Sequence, residues 1–174
     1  STLLNKSMDF DLDKGQHILI DKKIIEREIK ESNLSKEDRV IEIGAGTGNL
    51  TKELAKKAKE VLAFEIDEKF FEDLKKIGEE YTSVKIIFDN ALFYNWKGYN
   101  KIIANIPYHL SEDILNKAIK EDMKYIVLIV GEKFKRLLFS NEKIGLLARK
   151  FYYIEEILKI SGESFEPKSK VNSF

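Results

Sequence analysis

Apolar residues in this chain fall into short continuous runs, separated by segments whose apolar positions recur every three or four residues. The runs are Arg39-Val40-Ile41-Glu42-Ile43, Val61–Ile66, Val84–Phe88, Lys101–Ala104 and Tyr125–Val130. They are rich in β-branched and apolar residues and too short for helices, so each predicts a strand. The intervening segments Asn49–Lys59, Glu68–Ile77, Ser111–Lys120 and Glu132–Phe139 predict helices. Asp21 and Ser111 are candidate N-caps, because a short side-chain oxygen can accept from the unpaired first-turn N–H groups. Strands alternating with helices of this length predict right-handed βαβ units and an α/β fold built on a mainly parallel sheet. Ile154–Ile160 and Val171–Phe174 predict two further strands, an antiparallel pair that completes a seven-stranded sheet with the last strand cut short.

The chain has 174 residues, 43% of them hydrophobic, which is enough for one core. We expect a single domain over 1–174. Thirty basic residues balance thirty acidic ones, so the overall charge argues against binding driven by electrostatics alone. The balance is local, however. Residues 131–174 hold 9 basic and 6 acidic residues, whereas 61–130 hold 9 and 12, so a nucleic-acid face is expected towards the C-terminal part. The absence of cysteine excludes zinc-thiolate sites and any cysteine nucleophile, including the one that pyrimidine C5 methylation normally needs. The two histidines, far apart, offer no metal-ligand spacing. No apolar run approaches the length of a membrane span, and the first ten residues lack a signal-like apolar core. These features predict a cytoplasmic monomer with no metal and no membrane partner.

Chemistry concentrates in the loops after the predicted strands. Glu42-Ile43-Gly44-Ala45-Gly46-Thr47-Gly48 follows the first, and glycines there allow a sharp turn and close approach of a ligand. Such a loop serves several adenine-containing cofactors. Glu42 favours S-adenosylmethionine, because a carboxylate attracts its methionine ammonium and would repel a pyrophosphate. Phe64-Glu65-Ile66-Asp67 ends the second strand. Glu65 is placed to accept from both ribose hydroxyls, with Ile66 beside it against the cofactor, while Asp67 reads as a helix cap. After the third strand, either Asp89 or Asn90 can supply the acceptor for the cofactor's adenine N6. Asn105-Ile106-Pro107-Tyr108 follows the fourth. An aryl amine is a poor nucleophile because its lone pair is delocalised. Acceptors on both N–H bonds, here Asn105 Oδ1 and the Ile106 carbonyl, draw the nitrogen towards a tetrahedral geometry and free the lone pair. Pro107 stiffens that turn, and Tyr108 is placed to stack on an extruded base.

Together these residues resemble the ribosomal RNA adenine N6-dimethyltransferase family, which includes small-subunit dimethylases and macrolide-resistance methylases. The resemblance runs from Gly15-Gln16-His17-Ile18-Leu19 to Phe165-Glu166-Pro167-Lys168. It implies a Rossmann-like class I methyltransferase fold and S-adenosylmethionine as cofactor. It implies that Gln16, His17 and Leu19 border that cofactor and that Phe165 packs on the target base. The chain departs from the family pattern at Asn90, which replaces an aspartate, Val130, which replaces a glutamine, Leu146, which replaces an arginine, and Ser169, which replaces a proline. It keeps Glu132 and Arg136, and it stops before the family's helical C-terminal domain. The expected activity is methyl transfer to adenine N6 in RNA, with ribosomal RNA the expected partner, once or twice per base. Methylation of another amine, on DNA or a glutamine side chain, and a non-catalytic nucleic-acid binder are the alternatives.

Overall fold

The structure is a computed structural model that describes residues 18–19, 22–106, 108–160 and 165–166, with the backbone alone at 18–19, 108 and 165–166. In chain order the elements are β1 (Ile18–Leu19), α1 (Lys22–Glu31), β2 (Arg39–Ile43), α2 (Asn49–Lys57), β3 (Glu60–Phe64) and α3 (Phe71–Glu80). They continue with β4 (Val84–Ile87), β5 (Lys101–Asn105), α4 (Ser111–Lys120), β6 (Tyr125–Ile129), α5 (Glu132–Leu138), α6 (Lys143–Phe151) and β7 (Phe165–Glu166). Single 3-10 turns lie at Glu68–Phe70, Ala91–Phe93 and Tyr108–Leu110.

Five strands form one parallel sheet in the order β4-β3-β2-β5-β6. The period-2 alternation of a strand separates the apolar runs into two faces. Val40, Val61, Ala63 and Ile103 pack against Ile25 and Ile29 of α1, Leu50 and Leu54 of α2, and Leu74 and Ile77 of α3. Their neighbours Ile41, Ile43, Leu62, Phe64, Ile102 and Ala104 pack against Trp96, Met123 and the Ile114 and Ala118 face of α4. Covering both faces explains why the runs are continuous rather than alternating in polarity.

The predicted elements agree with the observed ones to within a few residues, with four differences. Ser111 does not cap α4. It is the first helical residue, Leu110 occupies the cap, and the buried Ser111 Oγ has no hydrogen-bond partner. The reason is that the 3-10 turn Tyr108–Leu110 runs straight into the helix, so no extended residue precedes Ser111. Asp21, the other predicted cap, and the predicted strand Val171–Phe174 lie outside the described residues. The segment Ile154–Ile160, predicted as a strand, forms only an isolated bridge at Ile160; Ile154 packs with α5 and α6, Leu158 and Ile160 pack into the core under α1–α3, and Glu156 pairs with Lys135 at 3.1 Å. Among the described residues the main sheet therefore has five strands rather than seven, and two short strands that were not predicted, β1 and β7, pair antiparallel as a separate ribbon. Helix α6 was not expected. Its Gly145 lets it pass the end of α5, where a Cβ would lie 2.3 Å from the Leu137 carbonyl oxygen.

Lys101, at the start of β5, fastens the end of α1. Its Nζ donates to the carbonyls of Ser32 (2.9 Å) and Asn33 (2.8 Å) and pairs with Asp38 at 3.2 Å. A cation there satisfies carbonyls that a helix terminus leaves free. Among the described residues no helix is long and apolar enough to cross a membrane.

Candidate functional site

In an open parallel sheet a ligand crevice forms where consecutive connections leave a pair of neighbouring strands in opposite directions. Here that pair is β2 and β5: the chain proceeds from β2 to β3 on one side, while β5 lies on the other. Strand register then aligns the tips. Ile41 is level with Ile102, Ile43 with Phe64, and Phe64 with Ile87. Continuing each register by one to three residues sets Asn105, Gly44, Glu65 and Phe88 in a row along the C-terminal edge. Four segments separated in sequence thus meet at one edge.

The loop after β2 is built from backbone that side-chain-bearing residues disfavour. Gly44, Gly46 and Gly48 have φ of 75°, 55° and 82°. The Gly44 and Ala45 N–H groups donate to the Phe64 carbonyl at 2.9 and 3.0 Å, clasping the loop to β3. At Gly48 a Cβ would lie 2.1 Å from Ile77 Cδ1 of α3, so the loop also needs glycine for helix packing. Thr47 Oγ1, within this loop, is buried and has no hydrogen-bond partner in the protein.

Glu65 is the hub of the edge. Its Oε2 accepts from Gly46 N at 2.8 Å, and its Oε1 accepts from Ile66 N at 3.0 Å and Asp67 N at 2.9 Å. Burial raises its pKa, against the lowering effect of those three backbone donors. A carboxylate offers about four acceptor positions, so at least one remains for a hydroxyl. Ile66 is 52% exposed beside it, an apolar surface open at the edge. Asp67 caps the following 3-10 turn, as predicted, by accepting from Lys69 N.

Asn90 Oδ1 accepts from Leu92 N at 2.9 Å, capping the turn after β4. Asp89 accepts from Asn90 N at 2.7 Å and from the Tyr94 hydroxyl at 3.0 Å, and it is exposed. Both predicted acceptors therefore stand at the edge partly engaged, Asn90 by one donor and Asp89 by two. Glu42 turns into the protein rather than to solvent. It is 1% exposed, and Thr51 Oγ1 donates to its Oε2 at 2.5 Å. Burial, followed by the charge of Glu65, drives its pKa up to about 8 despite the Thr51 hydrogen bond.

At the end of β5, Asn105 is half-buried and Ile106 is buried. Beneath Asn105 lies a residue that pattern reading missed. Glu28, on α1, is 5% exposed; with its amide nitrogen turned towards Glu28, Asn105 donates to the two carboxylate oxygens at 3.1 and 3.2 Å. The opposite amide orientation would set oxygen against oxygen. The signal was present in the sequence: Glu28 sits between Ile25 and Ile29 on the apolar face of α1, where the helical period calls for an apolar residue.

Gln16, His17 and Pro107 lie outside the described residues, as do the side chains of Leu19, Tyr108 and Phe165. The backbone nonetheless pairs Leu19 with Phe165 directly, joining two predicted site segments from opposite ends of the chain. Of the positions kept from the family pattern, Glu132 and Arg136 form an exposed ion pair at 2.9 Å on α5. Of the departures, Val130 is buried and Leu146 is exposed.

A family model described as ribosomal RNA adenine dimethylase matches residues 8–174. The probable ribosomal RNA small subunit methyltransferase A of Methanococcus aeolicus is 38% identical over 170 residues, covering 91% of this chain and 62% of that protein. An rRNA adenine N-6-methyltransferase of Escherichia coli is 38% identical over 174 residues, covering 98% of this chain and 69% of that protein. The crystal structure of a dimethyladenosine transferase from Plasmodium falciparum superposes with a TM-score of 0.83 at 27% identity, over 90% of this chain and 61% of that one. The chain thus spans roughly three-fifths to two-thirds of the length of these relatives.

Proposed function

The chain belongs to the ribosomal RNA adenine dimethylase family, and we propose from that premise that it methylates adenine N6 in ribosomal RNA, in one or two rounds. The observation that carries this reading is the position of Asn105. Its amide stands at the crevice between β2 and β5, level with the glycine loop, with its nitrogen turned inward to Glu28. That leaves Oδ1 to face an incoming amine.

The residues at the edge suit S-adenosylmethionine, which when bound supplies an electrophilic sulfonium methyl. Glu65 accepts from ribose hydroxyls, the glycine loop admits the methionine portion, and Thr47 Oγ1 is a buried hydroxyl in need of a partner. Asn90 or Asp89 accepts from the cofactor's adenine amine, and Ile66 covers one face of that ring. By the family resemblance Gln16, His17 and Leu19 would border the cofactor.

Asn105 Oδ1 and the Ile106 carbonyl accept the two N–H groups of the target amine. This pairing orients the nitrogen lone pair along the line of methyl transfer. By the family resemblance Tyr108 and Phe165 would pack on the extruded base, with Pro107 stiffening the turn that carries the Ile106 carbonyl. Because these acceptors bind best to the developing tetrahedral nitrogen, they lower the barrier rather than merely the dissociation constant.

The test is transfer of labelled methyl to unmethylated ribosomal subunits, with the product nucleoside identified. N6-methylated or N6,N6-dimethylated adenosine is expected. Asn105→Ala should leave cofactor affinity close to wild type and lower turnover on the order of 100-fold or more. A product methylated at any other atom, or near-full activity in Asn105→Ala, would sink the mechanism.

A further inference from the structure

We propose that Glu28 is a positioning residue that locks the Asn105 amide with its nitrogen inward and its oxygen towards the substrate amine; this rests on the function proposed above. The two ends of an asparagine amide are nearly equal in size and opposite in hydrogen-bonding character. Turned one way, Asn105 presents an acceptor to an N–H of the substrate. Turned the other, it presents N–H to N–H, which repels. Nothing intrinsic to asparagine selects the first orientation, so its surroundings must.

Glu28 makes the selection. An ionised carboxylate only accepts, and both its oxygens lie within 3.2 Å of the Asn105 nitrogen. With the amide reversed, the same distances would bring three oxygens together. The position itself argues that this role, not packing, accounts for the carboxylate. Glu28 replaces an apolar residue on the buried face of α1, between Ile25 and Ile29. Among the described residues the charged group that bears on it is Glu42 of β2, which repels it. A carboxylate there costs stability, whereas a leucine would extend the core. The geometry is also held from behind: Lys101 ties the end of α1 to the start of β5, the strand whose other end carries Asn105.

Burial, and then the neighbouring Glu42 charge, hold the Glu28 carboxyl well above the usual range. Once protonated it carries an O–H that can donate to Asn105 Oδ1, so the reversed amide is no longer excluded. Glu28→Gln has the same ambiguity at every pH, since a glutamine amide can meet Asn105 with either end. The charged or titratable groups that bear on this exchange are Glu42 on β2 and, through Glu42, Glu65 after β3.

The experiment compares the full chain with Glu28→Gln and Glu28→Leu, in methyl transfer to ribosomal RNA and in NMR of the 15N-labelled Asn105 side-chain amide across pH. We expect both variants to lower kcat by about 3- to 10-fold, with KM for S-adenosylmethionine within about twofold of wild type and unfolding no easier than in wild type. The acid limb of the wild-type kcat profile should vanish in Glu28→Gln. The Asn105 amide resonances should titrate in the wild type and stop doing so in Glu28→Gln. Wild-type kcat in both variants, or a loss confined to cofactor binding, would overturn the proposal. If the wild type transfers no methyl to ribosomal RNA, the proposed function fails, and the NMR arm decides the pairing alone. Resonances that ignore Glu28 then refute it, and resonances that follow Glu28 sustain it.

Discussion

Glu42 should make this protein less stable as pH rises, and the size of the effect can be worked from its surroundings. The carboxyl is 1% exposed, with Thr51 as its hydrogen-bond donor and Glu65 as a like charge nearby. Its pKa moves from the ordinary 4.5 to about 8 on folding. The folded state therefore binds the proton more tightly than the unfolded chain. The associated stability is fully present below pH 4.5 and is lost as pH rises through about 8. A shift from 4.5 to about 8 corresponds to a ceiling of roughly 5 kcal/mol at 1.36 kcal/mol per unit. Water reaching the carboxylate and local relaxation relieve part of that, which leaves about 2–4 kcal/mol. Set against a total of about 5–15 kcal/mol for an ordinary domain, the loss is large. Urea unfolding at intervals from pH 5 to 9 would measure it, because urea leaves charge interactions unscreened. Glu42→Gln should remove most of the slope while retaining an acceptor for Thr51, and Glu28→Gln should remove a separate share with the same sign. A wild-type unfolding free energy that is flat across this range would refute the reasoning, as would an unchanged slope in Glu42→Gln.

Two further predictions concern the same edge of the sheet. Glu65→Ala should weaken S-adenosylmethionine binding by roughly 1.5–3 kcal/mol for each hydroxyl bond lost. It should also destabilise the fold, because the N–H groups of Gly46, Ile66 and Asp67 lose their acceptor; calorimetry and urea unfolding separate the effects, and unchanged affinity would exclude the ribose role. Gly48→Ala should cost about 1–2 kcal/mol, chiefly from the left-handed backbone, since the 2.1 Å approach is to the flexible end of Ile77. A loss well below about 1 kcal/mol in urea unfolding would refute that backbone strain.

Much of this protein was legible in its sequence because the signals are local. Continuous β-branched runs at 39–43 and 125–129 name strands; the first, central in the sheet, is buried on both faces, while the second, at the edge, is half-buried. The glycines at 44, 46 and 48 announce a turn with positive φ, and a carboxylate at the tip of the next strand announces a hydroxyl acceptor. Asn105 and Ile106 were readable as a candidate pair because an aryl amine calls for two acceptors in one turn, and the structure sets them at the end of β5. What the chain could not disclose locally depends on contacts between distant segments. Whether 154–160 forms a strand is decided by whether an edge is free to pair with it, not by its own apolar pattern. Ser111 fails as a cap because of the turn that precedes it. The pairing of Leu19 with Phe165 joins residues almost the whole chain apart. Glu28 is the clearest case: its sequence position says only that a charge sits on an apolar face. Only folding brings α1 under the end of β5, where the buried carboxylate comes within hydrogen-bond distance of the Asn105 amide. Periodicity and local chemistry act over a few bonds, whereas burial and through-space electrostatics exist only once the layers have packed.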